Sequence, residues 1–193
     1  MWIRNEKLEG QWVILEPLEE VHIGPLKKAV SDGESWKLWF ASVPTADAMA
    51  DYVNRAMLEA RAGDVAYAVR LKSSGEIVGT TRYYNVDETN RRAMIGYTWY
   101  SDSVKRTPVN TECKYLLLSH LFEDANAIAV EFRTHFFNQV SRAAIERLGA
   151  KQDGILRNHQ IMKDGSIRDT VVYSIIAGEW PAVKANLLSK LKD

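Results

Sequence analysis

Met94-Ile95-Gly96-Tyr97-Thr98-Trp99-Tyr100, the polar segment Ser101 to Asn110, and Thr111-Glu112-Cys113-Lys114-Tyr115-Leu116-Leu117-Leu118 running on to Ala125 read as a strand, a tight loop and a long helix. The first seven residues are β-branched and aromatic, so their side chains alternate between two faces of a sheet. In the last part Cys113, Leu117, Leu121 and Ala125 recur at i+4 beside Leu118 and Phe122, a stripe wide enough to cover one sheet face. The loop between them, Lys105 to Glu112, is basic at its start and then offers Asn110 and Thr111 as N-caps. Unpaired N–H groups, the helix dipole and two cations at such a place favour an anion such as a pyrophosphate.

Working outward, the N-terminal side carries a short strand ending at Pro17 and a helix over Glu19 to Ser31. An aromatic segment follows, Asp32 to Pro44, with Trp36, Trp39 and Phe40. These large rings either line a substrate mouth or plug the core. The alanine-rich pattern from Thr45 to Ala62 predicts a helix closed by Gly63. Val65 to Leu71 and Ile77 to Tyr84, joined by a Ser-Gly turn, read as a hairpin. With the Met94 strand they form an antiparallel meander.

On the C-terminal side Ala127 to Phe132 alternates as a strand, and a strand–helix–strand order implies a parallel crossover. Asn138 to Leu148 is a helix with Asn138 as cap and Gly149 as stop. A hairpin turning at Lys163-Asp164-Gly165 and a helix over Glu179 to Lys190 close the chain, which is read as one domain over residues 1–193.

Composition excludes several classes. With 25 basic and 25 acidic residues no net field draws the chain to nucleic acid or an anionic membrane. No apolar run reaches the ~18 residues of a span, and the N-terminus lacks a signal-like apolar stretch, so a cytoplasmic location is expected. The lone Cys113 and four scattered histidines give no disulfide and no metal-ligand spacing. Neither a G-x-S-x-G elbow nor a G-x-x-x-x-G-K-[ST] loop is present.

The order of elements, with Val109-Asn110-Thr111-Glu112-Cys113-Lys114-Tyr115-Leu116-Leu117-Leu118, Asn138 to Ala150, and Asp164-Gly165-Ser166-Ile167-Arg168-Asp169 ahead of Tyr173-Ser174-Ile175 and Glu179-Trp180, resembles the GCN5-related N-acetyltransferase (GNAT) superfamily. Its RimJ/RimL-like branch, the ribosomal-protein N-terminal acetyltransferases, is the most similar. The resemblance implies an α/β (α+β) GNAT fold: a mixed, mostly antiparallel sheet with a central splayed parallel strand pair and helices on both faces. It implies acetyl-CoA as co-substrate, no metal, and an amine acceptor that is a peptide N-terminus or a small molecule, acted on by a monomer or homodimer.

By the same resemblance the coenzyme pyrophosphate meets Lys105, Arg106, Thr107, Val109, Asn110 and Thr111, and backbone N–H groups near Thr98 and Trp99 polarise the thioester carbonyl. Asn138 meets the pantetheine arm, and Ser141 serves the leaving thiolate. Read without the family, Asn138 is a cap and Ser141 a silent hydroxyl. The loop departs from the family pattern Q/R-x-x-G-x-G/A: Pro108 and Asn110 stand where glycines are usual, so Asn110 is expected to take a positive φ and Pro108 to remove one donor. His135 is the candidate general base, and Trp36, Trp39, Phe136 and Phe137 are acceptor-site candidates. An amine with pKa ~8 is partly neutral at pH 7 and needs little help. Arg157, Arg168 and Asp169 either brace the closing hairpin or meet a substrate carboxylate. The competing reading is a coenzyme A-binding module without catalysis.

Overall fold

The computed structural model describes residues 2–162 and 164–192; Lys163, in the expected closing turn, lies outside them. Thirteen principal elements follow one another: β1 (Leu8–Glu9), β2 (Val13–Pro17), α1 (Ile23–Val30), α2 (Met49–Ala60), β3 (Val65–Leu71), β4 (Ile77–Asp87), β5 (Arg92–Tyr100), α3 (Pro108–Ser119), β6 (Ala129–His135), α4 (Gln139–Leu148), β7 (Lys151–Ile161), β8 (Ile167–Ile176) and α5 (Trp180–Lys190). The strands form one sheet in the order β1-β2-β3-β4-β5-β6-β8-β7.

Every neighbouring pair is antiparallel except β5 and β6, as the crossover predicts. That pair is joined only from Arg92 opposite Ala129 to Met94 opposite Glu131. Beyond Met94 the two strands part. The parting is reinforced from the other edge of β5, where Arg82 faces Gly96 and Thr80 faces Trp99. Three steps on β5 therefore match two on β4, a bulge that bends the strand. It centres on Tyr97, whose φ of 50° is positive.

Helices cover both faces. Leu26, Ala29 and Val30 of α1 and Met49, Val53 and Ala56 of α2 bury against Ala66, Ala68, Ile77 and Trp99. On the opposite face Cys113, Leu117 and Leu118 of α3, Ile145 and Leu148 of α4 and Val183 and Leu187 of α5 close over Tyr83, Ile95, Val130, Phe132 and Tyr173. Each fully buried Leu or Ile of these stripes contributes ~1.5–3 kcal/mol, so the sheet is held mainly by its two apolar faces.

Two expected boundaries move. The helix read through to Ala125 leaves the α-helical ladder at Ser119 and completes itself as a wider π turn, His120–Asp124, where Ala125 N–H donates to His120 carbonyl at 3.0 Å. The strand read over Ala127 to Phe132 runs to His135, so that histidine ends a strand instead of following one.

Candidate active site

The loop before α3 differs from its sequence reading. Thr107, not Asn110 or Thr111, is the N-cap: its φ and ψ are −108° and 174°, and Oγ1 accepts from Val109 N–H. Pro108 is the first helical residue, where its fixed φ suits the helix and its missing N–H has no helical partner to lose. The positive φ expected at Asn110 falls on Arg106, at 63°. Thr111 is one position too deep to offer a free N–H, and its buried hydroxyl accepts from Arg147 at 3.4 Å. Lys105 is engaged by Asp102 and donates to Ser35 Oγ at 2.8 Å. Arg106 has no hydrogen-bond or ion-pair partner among the described residues, which leaves it as the loop's available cation beside the open N–H groups at the start of α3.

Glu112, read as a first-turn acid, instead reaches across to the N-terminal segment. Its carboxylate accepts the N–H groups of Gln11 at 2.6 Å, Trp12 at 2.7 Å and Val13 at 2.8 Å. Gly10 makes room for it: a Cβ there would come within 2.3 Å of the carboxylate carbon.

The bulge is fastened on both faces. The Tyr97 carbonyl accepts from Thr80 Oγ1 at 3.2 Å and from Tyr52 Oη at 3.4 Å. On the α3 face, Thr98 Oγ1 is 2.8 Å from Thr81 Oγ1 and accepts from Lys114 Nζ at 2.7 Å. Lys114 is buried with no carboxylate beside it among the described residues, and burial brings its pKa down to about 8. Trp99 points to the other face, into the α1–α2 core, and its buried Nε1 has no partner among the described residues. What Thr98 and Trp99 can offer to a thioester is therefore their backbone, along the edge that β5 turns to the parting.

At the far side of the parting, Asn138 caps α4, with Oδ1 accepting from Ser141 N–H at 3.1 Å. That single bond leaves the Asn138 amide NH2 free to donate. The Ser141 hydroxyl is half-buried with no partner among the described residues.

His135 is buried, and its Nδ1 accepts the Phe137 N–H at 3.1 Å. The ring hydrogen therefore sits on Nε2, which is buried without a partner. Burial, and then the nearby Arg168 charge, hold its pKa below the ordinary histidine value. So placed, His135 presents a donor. The lone pair that the general-base reading requires is engaged by the Phe137 N–H.

The aromatic candidates separate. Trp39 packs edge-on to His135 with centroids 4.9 Å apart and lies 6.1 Å from Phe137. Both rings are more than half exposed, so neither plugs the core. Trp36 instead lines a separate cavity of about 530 Å³ with Glu34, Thr45 and Asp47. Phe136 turns towards α4, under the Arg142 guanidinium at 5.1 Å and against the main core.

Two charged side chains at this centre are not singled out for the site from the sequence: Lys114 and Arg82. Buried Arg82 pairs with Glu59 at 2.7 Å and lies 4.1 Å from the Tyr97 ring centroid. Arg168 is half-buried on β8. The hairpin brace is Arg157 with Asp169, at 2.6 Å, and Arg168 takes no part in it. Among the described residues no group of His, Cys, Asp or Glu has the arrangement of a metal site.

A parting of two parallel strands, a bulge on one of them and a helix start beside it is what a family-level match then explains. The model of the acetyltransferase (GNAT) domain matches residues 13–151. This chain belongs to the GNAT acetyltransferase family. Among GNAT relatives, YdaF of Bacillus subtilis, provisionally named a ribosomal N-acetyltransferase, is 30% identical over 110 residues, 57% of this chain and 59% of YdaF. The match thus spans less than two thirds of that relative's length. A solved structure from T. thermophilus, described as an acetyltransferase, superposes with a TM-score of 0.86 at 33% identity, over 99% of this chain and 100% of that one. RimJ of Mycobacterium smegmatis, solved in complex with CoA-disulfide, has the same fold, with a TM-score of 0.81 at 21% identity over 96% of this chain and 95% of RimJ.

Proposed function

We propose that the chain transfers the acetyl group of acetyl-CoA to a primary amine, with a protein or peptide N-terminus preferred over a small amine, as in the ribosomal-protein branch of the family. The observation that carries the reading is the bulge at Tyr97–Thr98, made against β4, which bends β5 where it parts from β6. The bend leaves the β6-side edge of β5 beyond Met94 without a strand partner, an edge for an amide-bearing arm to pair with, and backbone N–H groups there stabilise an oxyanion without any particular side chain.

Around that point the chain's own residues take separable parts. Arg106 and the open N–H groups of α3 hold the pyrophosphate, with Lys105 contributing only through its position in the loop. The Asn138 amide and the Thr98–Trp99 backbone orient the pantetheine and thioester. Ser141 donates to the sulfur as the thiolate leaves; because a free thiol has pKa ~8.5, this help is modest. The acceptor amine enters past Trp39 and Phe137 in its neutral form, and its proton leaves to water. No base is assigned to His135.

One observation favours a coenzyme A-binding module without turnover: Pro108 at the first helical position withholds an N–H that other residues would supply to the phosphates. The two readings part in one experiment. Thiol release from acetyl-CoA is followed with a panel of N-terminal peptides, amino acids and polyamines, beside a thermal-shift titration with coenzyme A. Acceptor-dependent release supports transfer. Stabilisation without release on any amine supports the module. No stabilisation overturns both.

A further inference from the structure

The acceptor side of the sheet carries two buried or half-buried donors that nothing among the described residues satisfies. Arg168 Nε donates to Thr170 Oγ1 at 2.9 Å, and Thr170 stands opposite His135 across the β6–β8 pair. Arg168 and His135 therefore share one face of the sheet within one register step. Arg168 is close enough that its charge bears on the His135 ring, and its own pKa is lowered, chiefly by burial and partly restored by Tyr84 and Tyr97 beside it.

Neither terminal NH2 group of Arg168 has a partner among the described residues, and the neighbouring acids are taken. Asp169 accepts from Arg157 at 2.6 Å and from the Asn158 N–H at 2.8 Å. Glu131 is paired with Arg92 and with Arg133, the latter at 3.3 Å. Glu59 is paired with Arg82 and Arg55. The second unmet donor is the buried Nε2–H of His135. A guanidinium drawn out of water without a counter-charge, beside an N–H with no acceptor, costs free energy in the empty protein that an anion at the same spot would return.

We propose that Arg168 and His135 form a carboxylate-reading subsite at the acceptor mouth, so that the favoured acceptor carries an acid group close to its reacting amine. The inference rests on the acetyl-transfer reading and names its substrate class. A carboxylate matches because its two oxygens accept from the two free ends of the Arg168 fork, or from that fork and His135 Nε2–H together, while Trp39 and Phe137 pack the acceptor's apolar part. The acid group has two sources: a Glu or Asp side chain near a protein N-terminus, or the free carboxylate of a small amino compound.

The test measures binding and turnover on the full chain. Two isosteric pairs serve as probes with coenzyme A present: hexapeptides with Glu or Gln at the second position, and a dipeptide with a free or an amidated C-terminus. Calorimetry is expected to show the acid member of one pair binding at least about tenfold tighter, consistent with a buried charge-assisted contact. The pair that shows it identifies the source. R168Q is expected to abolish the difference and R168K to keep part of it, both with coenzyme A affinity unchanged. Equal binding of acid and amide in both pairs, no binding of either acid, or an acid preference that survives R168Q overturns the subsite. Acid-selective binding with no thiol release on any amine leaves the subsite standing and sinks the transfer reading instead.

Discussion

Glu112 on the α3 face and Arg168 on the acceptor face are both charges drawn from water, and the protein treats them in opposite ways. Glu112 is saturated by three N–H groups of the N-terminal segment, so its charge is spent inside the fold. Arg168 keeps one bond to Thr170 and holds the rest of its fork unmet. The coenzyme side of the parting is built chiefly from backbone: a bulged strand, a helix start and an Asn cap. The acceptor side is built from side chains. A bound group common to a whole family suits the first construction, and a variable acceptor suits the second, because side chains change without disturbing hydrogen-bonded strands.

The sharpest break in this contrast is Glu112→Ala. It strands three amide donors, at least one of them buried, and is expected to cost about 3–5 kcal/mol, the penalty for removing one partner of a buried charged network. Urea unfolding measures it. A loss below ~1 kcal/mol would mean that water replaces the carboxylate and that the segment is not clamped.

Lys114→Met is the second largest effect and has the opposite sign. The folded-state pKa of Lys114 lies near 8, below the ordinary 10.5. At pH below 8 the folded state carries a buried ammonium that the unfolded state holds in water, a penalty. Between pH 8 and 10.5 the unfolded chain binds the proton and the folded chain does not, so this group raises stability with pH across that window. Methionine fills similar volume, and the Thr81–Thr98 bond survives it. The variant should be more stable at pH 7 by about 2–3 kcal/mol and should lose that rise. Equal pH slopes in variant and parent would show that Lys114 is hydrated.

The difference between the two sides also governs what could be read from sequence. Strand, loop and helix around Met94 to Ala125 were legible because apolar periodicity survives any detail of the loop, and Asn138 and Gly149 were legible because caps have their own residue types. The start of α3 escapes the sequence because a proline in a polar loop reads as a lost donor, whereas it is favourable at a first helical position. Arg82 carried a faint signal, a charge at the alternation step between Thr80 and Tyr84 on a strand meant to be covered. Arg168 is legible only as one of two arginines beside Asp169; which of them braces the hairpin is settled by Asp169 being engaged by Arg157, which no local pattern records. Trp36 and Trp39 lie in a segment without period, so no pattern could say that only Trp39 reaches His135.

Ser141→Ala tests whether any side chain on the coenzyme side takes part in chemistry. Its unpartnered hydroxyl predicts about a tenfold fall in kcat with KM for acetyl-CoA unchanged, the modest gain expected when the leaving group is a thiol. An unchanged kcat would make that side wholly a backbone device.

The smallest effect lies at Arg106, where backbone and charge act on different quantities. Its φ of 63° is a conformation that costs a non-glycine residue about 1 kcal/mol and glycine nothing. Arg106→Gly should therefore gain up to about 1 kcal/mol of stability, less the entropy glycine adds to the unfolded chain, while Arg106→Ala should gain none. Both remove the exposed cation, and both should weaken coenzyme A binding by about fivefold, a loss that shrinks as salt rises. If Ala and Gly weaken binding alike but differ in stability, Arg106 holds its strained backbone for the sake of the charge. If Gly binds as well as the parent, the loop works through its N–H groups alone, and the coenzyme side is backbone throughout.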